Sequence, residues 1–147
     1  MKKPLVGEIG FGTVIDHIPC TATFKVLQLL GPQDDLVVVG NHFSSMKIGK
    51  KGIIKIANKI LTEKELSKIA VLAPKATVNV INNGKVQQKY KITIPPQFKN
   101  VIKCINPNCI SNHENSGTLF CVISANPLRV KCNYCEIVID KEEIQLQ

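Results

Sequence analysis

No stretch of this 147-residue chain approaches the roughly 20 consecutive apolar residues of a membrane-spanning helix, so a helical membrane anchor is not expected. The opening MKKPLVGEIGFG lacks the uninterrupted apolar run of a secretory signal, and a cytoplasmic location is expected on that ground. Tryptophan is missing and aromatics make up only 5% of the residues. A hydrophobic fraction of 44% and a charged fraction of 20% are nevertheless ordinary for a folded globular chain. Internal repeats and low-complexity segments are absent as well. Cysteine is nearly missing from the first hundred residues, where Cys20 stands alone, and arginine occurs once, as Arg129.

What is present is unevenly spread. The net charge of +8 raises the question of a polyanionic partner. Residues 1–96 hold 14 Lys against 6 acids, whereas residues 97–147 hold 4 Lys and 1 Arg against 5 acids, so the whole surplus lies in the first part. The segment ITIPPQFKN separates the two, because consecutive prolines remove two backbone donors and impose an extended path. Two domains are expected, 1–96 and 97–147, with the boundary at Pro95 and Pro96.

In the first part, Thr13 to Ile18 has the β-branched content of a strand. Thr21 to Leu30 follows as a helix with Ala22, Thr23, Val26, Leu27 and Leu30 on one face, stopped by Gly31 and Pro32. The apolar run DLVVVGNHF reads as a second strand, and IIKIANKI as a third that sets Ile54, Ile56 and Ile60 against Lys55, Ala57 and Lys59. Thr62 and Glu65 form a capping box, and Leu61 with Leu66 a hydrophobic staple, at the start of a helix that buries Leu66, Ile69, Ala70 and Ala73. TVNVI, the turn NNG and KVQQKYKITI make a hairpin. The order is strand, helix, strand, strand, helix, strand, strand. It predicts an α+β fold: a ferredoxin-like sandwich with an antiparallel sheet plus one extra strand, followed by a small β-rich domain.

The strongest chemical signal lies in that small domain. CINPNC and CNYC space their cysteines as C-x4-C and C-x2-C, 22 residues apart. Two tight turns of this kind bring four thiolates, Cys104, Cys109, Cys132 and Cys135, around a tetrahedral Zn²⁺ with no open position for substrate. A structural zinc is expected, one per chain, since so few apolar residues make a marginal core without a staple. Disulfides suit a reducing compartment poorly. His113 is an alternative fourth ligand outside the tight turn, and Cys121, in the run FCVI, reads as a core residue. A four-cysteine module also invites a nucleic-acid reading. Its zero net charge and single arginine argue against it, because phosphate backbones demand several neutralising contacts.

The excess lysines fall on MKIGKKGIIKIANK, with Lys47, Lys50, Lys51, Lys55 and Lys59, and on the last strand with Lys89 and Lys91. Their plain interpretation is a solvated face. The spacing of GKKG is not that of a phosphate loop. The stretch TVIDHIPC lines up an acid, a histidine and a cysteine, which raises the possibility of a thiol enzyme. Strand alternation sends Asp16 and His17 to opposite faces, and Cys20 reads as a small buried residue where the helix begins. An acid and an imidazole near a surplus of lysines instead suit a bound triphosphate, with Asp16 available to ribose hydroxyls or a base amino group.

GTVIDHIP, GKKGIIKIAN, LAPKATVNVI and the pair CINPNCISNHE and VKCNYCE together resemble the regulatory chains of aspartate carbamoyltransferase, in order and over nearly the whole chain. The resemblance implies a non-catalytic subunit. Its first domain would bind the nucleotides CTP and ATP, and its zinc domain would dock on the catalytic chain. Assembly would proceed through a homodimer of this chain, three such dimers joining two catalytic trimers. It also implies a triphosphate near Lys51, Lys89 and His17, with the ribose and base near Asp16, Lys55 and the backbone around Val6, Ile9, Asn79 and Val86. Two positions depart from the family pattern. Gly7 stands where an acid is usual, and Gly84 where an aromatic follows the hairpin turn.

Overall fold

The computed structural model describes residues 9–46 and 49–147; Val6, Gly7 and Lys47 lie outside the described residues. The chain divides into two compact units, Met1–Thr93 and Ile94–Gln147.

The first unit runs β1 (Gly12–Pro19), α1 (Thr23–Leu30), β2 (Val37–Ser45), β3 (Gly49–Ala57), α2 (Glu63–Leu72), β4 (Thr77–Asn82) and β5 (Lys85–Lys91). The sheet order is β2-β3-β1-β4-β5 with every pair antiparallel. Removing β5 leaves the split βαβ topology the sequence predicts, with the extra strand added beside β4. On β3 the alternation is clean: Gly52, Ile54 and Ile56 are buried while Lys51, Ile53, Lys55 and Ala57 are half-buried on the other face. Helix α1 lies over the first set, since a Cβ on Gly52 would meet the Thr23 Oγ1 of that helix. Ile15, Ile18, Ile54, Ile56, Val26, Ile69 and Val78 are fully buried there. Each such side chain contributes about 1.5–3 kcal/mol relative to exposure.

Helix boundaries follow local chemistry. Thr62 accepts from the Glu65 backbone and Glu65 accepts in return from the Thr62 backbone, so the capping box expected from the sequence is present. Helix α1 starts at Thr23, two residues later than expected. Pro19 and Ala22 first close a turn, in which Cys20 sits half-buried. Two further differences concern strands. β3 begins at Gly49 and stops at Ala57, because Asn58 takes a left-handed conformation; Ile60 is therefore outside the strand and exposed. β5 ends at Lys91, before the prolines. No helix among the described residues is long and apolar enough to cross a membrane.

The second unit holds β6 (Gln97–Lys99), β7 (Ile102–Lys103), β8 (Leu119–Ala125), β9 (Leu128–Cys132), β10 (Val138–Asp140) and β11 (Gln145–Leu146). Four of these form a sheet in the order β10-β9-β8-β6, and β11 pairs with β7. The β-rich expectation holds, although β6 and β11 are too short for hydropathy patterning to signal. Phe98, Phe120, Ile102, Val130 and Ile139 make a small core. Cys121 is not in it. It is half-buried beside Gln97 and opposite Lys131, because β8 turns Phe120 inward.

Candidate functional sites

The open face of the first sheet is built by register. Lys55 of β3 lies opposite Val14 of β1, Val14 opposite Asn79 of β4, and Asn79 opposite Lys89 of β5. At strand spacings of about 4.8 Å, this single row is roughly 14 Å wide. One step along, Asp16 faces Thr77 and Thr77 faces Lys91. In the other direction Ile81 faces Val86, and Ile9, Val14 and Ile81 pack together with Ile53 and Ala57. The face is therefore graded, cationic at one end and apolar at the other. Ile9 is buried in the apolar end and Val86 is exposed at its rim.

The acid–imidazole pair sits where β1 is irregular. Between Ile15 and Ile18 the ladder to β3 gains a residue, since these two pair with Ile54 and Gly52. His17 takes a φ of 57° to accommodate the bulge. Strict alternation fails there, and the expected separation of Asp16 from His17 is corrected: His17 Nδ1 lies 4.0 Å from Asp16 Oδ2, and the His17 backbone N–H donates to Asp16 Oδ1 at 2.6 Å. His17 Nδ1 is 2.9 Å from Thr77 Oγ1. Lys51 Nζ reaches Asp16 at 3.0 Å, both side chains being less than a fifth exposed. The lysines are thus not all alike. Lys51 is tied to a carboxylate, whereas Lys89 and Lys91 are exposed.

Asn79 Oδ1 is buried without a hydrogen-bond partner among the described residues. Buried acceptors are normally satisfied, so an N–H or O–H of a bound molecule is the natural donor here. Thr77, Ile53, Ala57 and Ile81 also line the face, and the sequence reading missed them. Their signal was available, because each sits an even number of residues from Lys55 or Asn79 on the same strand. Cys20 lies in the turn beyond β1 with its carbonyl accepting from Asn41.

In the second unit the four cysteines converge. Their sulfurs all lie within 4.8 Å of one another, with Cys104–Cys135 at 3.6 Å and Cys109–Cys132 at 3.7 Å. Metal–sulfur bonds of about 2.3 Å to a tetrahedral ion set sulfur–sulfur edges of about 3.8 Å, so the cluster fits such an ion. A disulfide would need about 2.05 Å. The first knuckle folds on an Asn106 turn, its side chain accepting from the Asn108 backbone and its carbonyl from the Cys109 backbone. The second closes when Glu136, at a φ of 64°, donates to the Cys132 carbonyl.

Burial pushes the Cys104 thiol up to about 12 and raises that of Cys132. Burial acts the same way on Cys135, but the Ile137 backbone N–H, Asn106 and the neighbouring sulfurs outweigh it and bring Cys135 down to about 7. Cys135 is also the half-buried member of the cluster, the other three being buried. His113 is not part of the cluster. Its Nε2 lies against the Pro107 carbonyl.

Residues 5–93 match the family described as aspartate carbamoyltransferase regulatory chain, allosteric domain, and residues 96–145 match the one described as its metal binding domain. Proteins named aspartate carbamoyltransferase regulatory chain from Pyrococcus horikoshii and Thermococcus sibiricus are 46% and 45% identical, each alignment covering 98% of this chain and 97% of the relative. The protein of that name from Phocaeicola vulgatus is 44% identical over 96% of this chain and 92% of its own. Matches of this extent in both units establish that the chain belongs to the family of aspartate carbamoyltransferase regulatory chains.

Proposed function

We propose that this chain is the non-catalytic, nucleotide-sensing subunit of a cytoplasmic aspartate carbamoyltransferase. Residues 1–96 form its effector domain, and residues 97–147 a zinc domain that docks on the catalytic chain. CTP and ATP bind the open face of the first sheet. Lys51, Lys89 and His17 take the triphosphate, and Asp16, Lys55 and Asn79 the ribose and base. The backbone at Ile9 and Val86 frames the heterocycle, and the resemblance adds Val6, which lies outside the described residues. The observation that carries this reading is the cross-strand row from Lys55 through Asn79 to Lys89, which gathers cations and an unsatisfied buried acceptor beside an apolar patch. Triphosphates need the first, nucleosides the other two.

Zn²⁺ suits four thiolates in a closed tetrahedron, and one ion per chain would be structural. The chain pairs with itself as a homodimer, and a nucleotide acts on the catalytic chains through its differential affinity for two quaternary states, about 1–3 kcal/mol in comparable systems. A nucleic-acid-binding role finds less support, since Arg129 is engaged by Asp140 at 2.8 Å. Calorimetric titration with CTP and with ATP tests the proposal, comparing the wild type with Lys89→Ala. A lost charge-assisted contact costs about 1.5–3 kcal/mol, so the variant should bind roughly tenfold more weakly or worse. Failure of the wild type to bind either nucleotide at millimolar concentration would overturn it.

A further inference from the structure

The segment that follows the first cysteine knuckle does more than connect it to β8. Residues Ile110–Asn112 form a short 3-10 turn, begun by the Asn112 N–H donating to the Cys109 carbonyl at 2.9 Å. The turn folds back on the knuckle it leaves. Asn112 Nδ2 donates to the Cys104 carbonyl at 3.0 Å and to the Asn106 carbonyl at 2.7 Å. His113 Nε2 lies 2.6 Å from the Pro107 carbonyl, which can only accept, so that nitrogen carries the proton. Ser111 Oγ lies 3.1 Å from Cys109 Sγ. Three carbonyls of the loop from Cys104 to Cys109 are therefore held by side chains outside it.

We propose that Asn112, seconded by His113, is a positioning clamp for the metal site: it holds the C-x4-C knuckle in its ligating shape before the ion arrives. The inference rests on the metal reading of the four cysteines. Four sulfurs that become thiolates repel one another, and a loop with a proline at its centre has few backbone bonds of its own to resist spreading. One amide bridges the first ligand's carbonyl and the mid-loop Asn106 carbonyl, which also accepts from the Cys109 backbone, so the first half of the knuckle is tied to the second. Groups that orient ligands without touching the metal typically change affinity by about 10–100-fold. Asn112 is exposed, so the lower end applies and its replacement leaves the fold intact.

The test uses the full-length chain and Zn²⁺ alone, in competition with a chromophoric chelator. Asn112→Ala should bind one ion per chain about tenfold more weakly, mostly through faster release, and His113→Ala should show a smaller loss in the same direction. The Co²⁺-substituted protein supplies a readout that a merely stabilising role would not move. Its ligand-field bands report tetrahedral geometry and should broaden in Asn112→Ala but not in Arg129→Ala, which breaks only a surface ion pair of the same unit. Wild-type affinity together with a wild-type Co²⁺ spectrum in Asn112→Ala would overturn the clamp while leaving the metal site standing. Should Asn112→Ala fail to fold, unchanged release from His113→Ala would overturn it equally. A wild-type chain that binds no Zn²⁺ would instead remove the reading beneath it.

Discussion

Lys51 and Lys89 carry the same charge on the same face, yet their surroundings differ in a way that separates binding from folding. Lys51 is held by Asp16 at 3.0 Å, and Asp16 in turn accepts from the His17 backbone. Lys51→Ala should therefore weaken nucleotide binding by roughly tenfold or more and also cost up to about 1 kcal/mol of stability from the broken, partly exposed pair. Lys89→Ala should weaken binding alone. Lys64→Ala, on the exposed side of α2, should change neither. Calorimetric affinities beside urea denaturation midpoints check all three, and equal stability losses for Lys51→Ala and Lys64→Ala would refute the asymmetry. Which lysines share a face was legible from spacing, because Lys51 and Lys55, like Lys89 and Lys91, are an even number of residues apart. The contact between Asp16 and His17 was not, since a bulge adds a residue to one strand without altering composition.

Among the elements, α2 shows a helix start written fully in the sequence. Glu65 is held below its ordinary 4.5: burial alone would raise it, but hydrogen bonds from the Thr62 backbone and Lys59 outweigh burial. A folded value below the unfolded one means that this contribution is complete above about pH 4.5 and is lost as the pH falls through the lower folded value. Thr62→Ala should cost about 1 kcal/mol, measured by denaturation at pH 7. In Glu65→Gln the loss should shrink toward acid pH, where the wild type loses the same charge. The first unit was legible element by element for this reason: caps, alternation and the Asn-Gly turn are local, and local chemistry survives folding. The late start of α1 and the early end of β3 depend on Ala22 bonding back to Pro19 and on a left-handed Asn58, which propensity does not register. Gly52 illustrates the tertiary part. Nothing around it in sequence demands glycine, but Thr23 of α1 occupies the space a Cβ would need, and Gly52→Ala should cost about 1–3 kcal/mol through overpacking, read from the same denaturation curves.

At the scale of the whole molecule, a Zn²⁺ held by the four cysteines as proposed would stabilise the two units by different means, and metal removal should expose the difference. The first unit buries isoleucines and valines from β1, β3, β4 and both helices, whereas the core of the second rests on Phe98, Phe120 and a few aliphatic residues. Binding of Zn²⁺ to four-cysteine sites contributes roughly 10–16 kcal/mol in apparent terms near pH 7, more than such a core supplies by itself. Stripping the ion with a strong chelator should accordingly unfold residues 97–147 and leave residues 1–96 folded. Hydrogen exchange should then show protection lost from β8 and β9 but kept in β1 and β4. CTP affinity should persist in the stripped chain, since Lys55, Asn79 and Lys89 all lie in the first unit. Association with the catalytic chain should disappear in the same sample and return when Zn²⁺ is restored. Loss of nucleotide binding together with the metal would contradict this division of labour, as would a stripped chain that still assembled with its catalytic partner. Either result would mean that the ion supports more than the unit whose sulfurs surround it.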